Sequence, residues 1–331
     1  MKLKTVACAL SVVLLLIAGA CTQQDVQGSG SSASTEAVAQ PTGDQVELKF
    51  VFNRGDTHRE TYVMDRTIEQ KLPEGTVKMD QRTEMTMRFD VQRVNSDGSA
   101  QIKVTYESVA LDQDGPEGSL QYDSENPPSP VPGPAKPFAA LVGEGFRMRL
   151  TPAGEIEEIT GVDALIGAVV STLPEERRRK AAAAARRQFG PKAMKRMMNV
   201  ALGYCPKHPV APGDSWRERY SVSRPYPVIV ENTYTLREAS GAELRIDLSS
   251  NIRPNPDAEA IRTRGATMRV EMNGQQQGTI VVDKDTGWLV RADIDQKMSG
   301  TGKLQSTSDP DQVRTWPVNI TGDYIIRTAG Q

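Results

Sequence analysis

"GDTHRETY", residues Gly55 to Tyr62, and "GDSWRERY", residues Gly213 to Tyr220, share Gly, Asp, Arg, Glu and Tyr at identical spacing, with Thr57 replaced by Ser215. Read alone, Gly-Asp-Ser is the form in which one class of serine hydrolases presents its nucleophile. Such an enzyme needs a histidine after the serine, yet His58 and His208 both precede Ser215, and no Gly-x-Ser-x-Gly elbow occurs. The repetition favours a structural origin. Gly and Asp suit a turn, a Thr or Ser hydroxyl can bond nearby backbone, and Tyr62 or Tyr220 enters the strand that follows.

Two further correspondences keep the same order. "DGSAQIKV" (Asp97 to Val104) is echoed by "SGAELRI" (Ser240 to Ile246). "FRMRLTPAGEIEEI" (Phe146 to Ile159) is echoed by "GTIVVDKDTGWLVRA" (Gly278 to Ala292), with Gly154 matching Gly287 at the turn. Inside each copy apolar residues alternate with polar ones: Met85, Met87, Phe89 and Val91 in the first, Leu244, Ile246 and Leu248 in the second. Period-two alternation predicts antiparallel strands with one buried face. The expected fold is mainly β with a helical insertion: an internally duplicated antiparallel sheet, strongly curved or a half-barrel, with helices on its concave face. Copy one covers about 45–161, the insertion about 162–203 and copy two about 210–328.

The 331 residues carry a net charge of −2, which gives no overall field to draw in nucleic acid. Aromatics are 5% of the chain while Met numbers 12, so aliphatic and thioether side chains must fill most of the interior. Lys2 and Lys4 followed by an apolar run from Val6 to Ala18 read as a bacterial signal peptide over 1–20. The run is shorter than the ~20 residues a membrane span needs. Gly19 and Ala20 before Cys21 resemble the lipoprotein signal, which implies acylation of Cys21 and a membrane anchor. Thr22, where enterobacterial sorting uses Asp for retention, favours the outer membrane over the inner, facing the periplasm or the cell surface. Residues 22–44 are polar, Gly/Ser-rich and aperiodic, a flexible tether with a root-mean-square reach of roughly 25–30 Å. With Cys8 and Cys21 accounted for, Cys205 has no intrachain partner and reads as a buried small apolar residue.

The insertion has helical periodicity. Val162, Leu165, Ile166, Val169, Val170 and Leu173 form one apolar stripe; "PEERRRKAAAAARRQ" follows; Met194, Met197, Met198, Ala201 and Leu202 mark a third helix. Two readings of the stripes stand: plain core packing, or a lid over a groove for an apolar guest. In the second, Leu165, Ile166, Val169, Met194, Met197 and Met198 are the candidate ligand-binding residues, unbranched Met being able to repack around different molecules. The basic run Arg177, Arg178, Arg179, Lys180, Arg186 and Arg187 reads either as a solvated face or as a contact for anionic head groups. No metal-ligand spacing and no phosphate-cradling Gly loop is present in the sequence, so no cofactor is expected.

The strand pairs around "NSDGSA" and "ALVGEGFRMRLTPAGEI", together with "GDSW", resemble an uncharacterised family of bacterial secreted proteins classed only as a domain of unknown function. That resemblance implies no activity and no site residues. Tether, large antiparallel sheet and midway helices are similar in architecture to the LolA/LolB and LppX/LprG lipid carriers. The expected function is noncatalytic binding of a lipid or other hydrophobic molecule between sheet and helices. The alternative is a structural or assembly lipoprotein holding an envelope protein partner, and a serine hydrolase is the reading of least weight.

Overall fold

The computed structural model describes the backbone of residues 20–21, 45–224, 226–263 and 265–328. Among these, the side chains of 20, 21, 187, 188, 196, 197, 199, 200, 223, 224 and 263 are not described. Residues 1–19 of the signal peptide, residues 22–44 of the tether and the side chains of Cys21 and Met197 therefore lie outside the described residues.

Copy one supplies β1 (Thr57–Leu72), β2 (Gly75–Val94), β3 (Ala100–Gly115), β4 (Gly118–Asp123), a helical turn α1 (Lys136–Ala139), β5 (Gly145–Leu150) and β6 (Ile156–Thr160). Helices α2 (Val162–Ser171), α3 (Glu175–Phe189) and α4 (Pro191–Ala201) follow. Copy two supplies β7 (Ser215–Arg224), β8 (Val228–Glu238), β9 (Glu243–Pro254), β10 (Ile261–Thr263), β11 (Ala266–Asp283), β12 (Leu289–Ser306) and β13 (Val313–Thr328). All pair antiparallel in one open sheet, in the order β7-β8-β9-β11-β12-β13-β1-β2-β3-β5-β6, with β10 on β11 and β4 on β3. A two-residue bridge from Ala20–Cys21 lies against β7. The sheet does not close into a barrel. The two halves are joined by the last strand pairing with the first, from Val318 opposite Gln70 to Thr328 opposite Glu60.

The repeated motif folds the same way twice. Gly55 and Gly213 take φ of 96° and 99°, a left-handed conformation that favours glycine. The Gly55 N–H donates to the Val91 carbonyl at 2.9 Å and the Gly213 N–H to that of Leu236 at 2.7 Å. Asp56 and Asp214 accept the N–H of Asn53 and Ala211 at 3.1 and 2.8 Å. The hydroxyls depart from expectation: Thr57 donates to Asp90 at 3.0 Å, and Ser215 meets the Thr235 hydroxyl at 2.8 Å. Both sit on the exposed outer face of a strand, where the cross-strand side chain is nearer than free backbone.

An arm over residues 46–52 stitches the copies together. Val46 and Val210 exchange N–H···O bonds of 2.7 and 3.0 Å. Phe50 N–H then donates to the Pro152 carbonyl, in the β5–β6 turn, at 2.8 Å, and Val51 N–H to that of Thr286, in the equivalent β11–β12 turn, at 3.0 Å. Phe50, Phe52 and Trp288 thereby come together under the two turns.

The long strands serve two cores. β2 has 20 residues, about twice the length of a typical long strand and roughly 65 Å if straight. It gives Met85, Met87 and Phe89 to a first core shared with Leu236, Ile246 and Trp288, and Met79 to a second core with Ile252, Met272, Trp316 and Ile320. In the second core Trp316 lies opposite Gly302, where a Cβ would fall 2.3 Å from the indole ring. Glycine thus lets the ring lie flat on the neighbouring strand, and its N–H reaches Gln70 across the seam at 3.0 Å.

The helices pack against β5 and β6 and into the first core, where Leu165, Ile166, Met194 and Met198 are buried. Part of the basic run is tied down within the protein. Arg178 donates to the carbonyls of Ser171 and Leu173 at the end of α2, both at 2.9 Å, a favourable place for a cation. Arg186 pairs with Asp163 at 2.7 Å, and Lys195 donates to the Glu157 carbonyl at 3.0 Å. The proline-rich stretch from Glu125 to Pro137 runs into the helical turn α1, where Phe138 and Leu141 bury into the first core.

Cys205 is 7% exposed, and burial pushes its thiol up to about 12. The thiolate is the reactive form, so maleimide at pH 8 is expected to leave Cys205 unmodified in the folded protein and to label it fully in urea. Rapid labelling without denaturant would contradict the burial.

Candidate ligand cavity

Between the two cores the sheet cradles a half-open pocket of about 300 Å³. Its wall comes from β1, β2, β7, β8, β9, β11, β12 and β13, with Ala201 from α4. The apolar side chains divide into two groups. Met85, Leu248, Ile280 and Leu289 face it from the first core, and Val230, Ile252, Met298 and Ile320 from the second.

A polar row crosses the sheet where the groups meet, one residue from each strand. Registered pairing runs Glu218–Asn232–Ser250–Gln276–Gln296–Gly322–Arg66–Gln81–Gln113. On most strands the next inward positions are apolar: Tyr234 and Val230 flank Asn232, Leu248 and Ile252 flank Ser250, Ile294 and Met298 flank Gln296. Most of the row is satisfied internally. Ser250 donates to Asn232 Oδ1 at 2.7 Å, Asn232 Nδ2 to the Tyr234 hydroxyl at 2.8 Å, and the Tyr324 hydroxyl to Gln296 Oε1 at 3.0 Å. Buried amides and hydroxyls paired in this way avoid the desolvation penalty of orphaned groups.

Arg66 is the exception. It is 7% exposed, and both Nε (3.0 Å) and Nη2 (2.5 Å) donate to one oxygen, Gln81 Oε1. Among the described residues no carboxylate pairs with it. Desolvation lowers its pKa, opposed by the nearby hydroxyls of Tyr324 and Tyr226, and a guanidinium stays charged regardless. Gly322, beside Arg66 on the seam, has room for no side chain without crowding: a Cβ there would come within 3.2 Å of Arg66 Cβ. On β2, the Thr83 hydroxyl is buried, lines the cavity and has no hydrogen-bond partner.

A buried carboxyl lies along β1 in the first core. Glu60 is 7% exposed and accepts a hydrogen bond from the Tyr62 hydroxyl. Desolvation raises it to about 7 against the opposing Tyr62 bond.

The candidate residues named from sequence are placed elsewhere. Leu165, Ile166, Met194 and Met198 are buried together in the first core with Val169 half-buried against them, and none belongs to the cavity wall. Ser215 is on the outer face of β7, beside Thr235. Arg66, Gln81 and Thr83 were not singled out. Their signal is a polar residue at an inward position of an otherwise apolar alternation, as Ser250 is between Leu248 and Ile252.

Fold and pocket define an open antiparallel β-sheet protein with an apolar pocket crossed by one polar row. The chain belongs to the family of unknown function DUF6263, whose pattern matches residues 97–289, from the β2–β3 turn to the first residue of β12. No curated protein matches the chain. Among solved structures, one of lipovitellin, described for its lipid–protein interactions, is similar over 84% of this chain at 15% identity with a TM-score of 0.44. The chain spans 25% of the lipovitellin chain's length, and a likeness at that score carries no argument.

Proposed function

We propose that the protein is a noncatalytic envelope lipoprotein, acylated at Cys21, tethered to the outer membrane and binding a lipid or other hydrophobic molecule inside the curved sheet. The observation that supports the binding role is the apolar cavity itself. A contiguous apolar lining left facing water is unfavourable, and a concave one of this kind is the usual form of a site for an apolar guest. The volume lies at the small end of ligand sites, which run ~300–1,000 Å³, and suits one slender apolar molecule. Binding there is by shape and apolar contact, without bond-making.

Native mass spectrometry of protein purified from its own membrane tests the reading: a bound, organic-extractable mass is expected. Ligand-free spectra, together with no uptake of an added single-chain probe, would overturn it. The anchor is tested separately. Cys21→Ala is expected to move the protein from the membrane to the soluble fraction and to remove acyl mass from the mature amino terminus.

A further inference from the structure

We infer that the ligand of this cavity carries an acid at one end and that Arg66 receives it: the site takes a single-chain amphiphile with a carboxylate or phosphate head. This deepens the hydrophobic-ligand reading and rests on it. A guanidinium has five N–H donors in a fixed fork. Here two nitrogens share one amide oxygen, and no counter-ion is within reach among the described residues. A buried charge left so costs several kcal/mol, and pairing with an entering anion removes that cost.

The second observation is independent of Arg66. Thr83 is 5% exposed and borders the pocket, and its buried hydroxyl has no partner. Register puts Thr83 opposite Met64, one inward position along from the Arg66–Gln81 pair on the same face. Tyr324, opposite Met64 on its other side, lies near enough to bear on the Arg66 charge, with its hydroxyl proton given to Gln296. An arginine, a free hydroxyl and a tyrosine therefore converge where apolar walls begin on either side. A neutral alkane would leave the guanidinium without a counter-ion and the Thr83 hydroxyl without a partner; an acid head satisfies both while its chain lies against Ile294 and Met85, or Met298 and Ile320.

The test uses the full chain, stripped of bound lipid, titrated with fluorescent cis-parinaric acid and with its methyl ester. The acid is expected to bind about tenfold or more tightly than the ester, the advantage of one charge-assisted pair. Arg66→Met should abolish that preference, Arg66→Lys should keep part of it, and Thr83→Val should weaken the acid several-fold while leaving the ester unchanged. Displacement of the probe by palmitate or by hexadecyl phosphate tells carboxylate from phosphate as the preferred head. Equal binding of acid and ester to the unsubstituted protein overturns the inference whether or not Arg66→Met folds, and so does an Arg66→Met loss shared equally by both probes. Binding of neither probe overturns the hydrophobic-ligand reading itself.

Discussion

Replacing Trp288 with alanine is expected to lower the unfolding free energy by about 4 kcal/mol, near the top of the range for removing a large buried aromatic. Trp288 is 5% exposed and is the hub of the contacts that join the arm to both copies. Its ring stacks on His58 at 4.1 Å and meets Phe50 at 5.4 Å, Phe89 at 5.7 Å and Phe52 at 6.3 Å. The gap cannot collapse easily, because its walls are two hydrogen-bonded turns and a strand. Trp288→Phe should recover most of the loss, since the buried indole N–H has no hydrogen-bond partner to forfeit. Urea titration with an unchanged slope would report the pair of values; a loss below about 1 kcal/mol on Trp288→Ala would mean that the stitch does not depend on this ring.

Glu60→Gln should act in the opposite direction, and only above acid pH. At pH 4 the carboxyl is largely protonated in both folded and unfolded chains, so the substitution changes little. Between its ordinary 4.5 and the folded value of about 7, the unfolded chain ionises while the folded protein keeps its proton. The stability due to this proton is therefore fully present at low pH and lost as pH rises through that window, reaching about 3 kcal/mol by pH 8. Gln cannot ionise and can still accept the Tyr62 hydroxyl, so the variant should melt like the parent at pH 4 and markedly higher at pH 8. Parallel melting curves across pH 4–8 would show that Glu60 is hydrated in the folded state.

Much of this architecture was legible as local pattern. Met85, Met87, Phe89 and Val91 alternate because one face of β2 is buried, and the doubled "GD" turn marks the start of the first strand in each copy. Pairing between strands far apart in sequence was not legible. β13 has no echo in copy one, so nothing in its composition tells that it lies against β1. The polar row escaped for the same reason. Gln296 and Arg66 each look like a single interruption in a strand and Gln276 like part of a local polar run, and only the register aligns them with Gln81. The Met-rich helix left two readings open, core packing or a lid over a guest, because a helix's apolar stripe is the same whether it covers ligand or protein; Met194 and Met198 lie buried in the first core.

Because the seam is made by the final strand, the order of synthesis shapes how the molecule assembles. Each hairpin of copy one can zip as soon as its residues exist, but the outer edge of β1 stays bare until Val313 to Thr328 have been made. An uncovered edge of that length invites pairing with another chain. Loss of the strand Val313–Thr328 would therefore yield two half-sheets prone to sticking to neighbours, a sharper failure than gradual weakening.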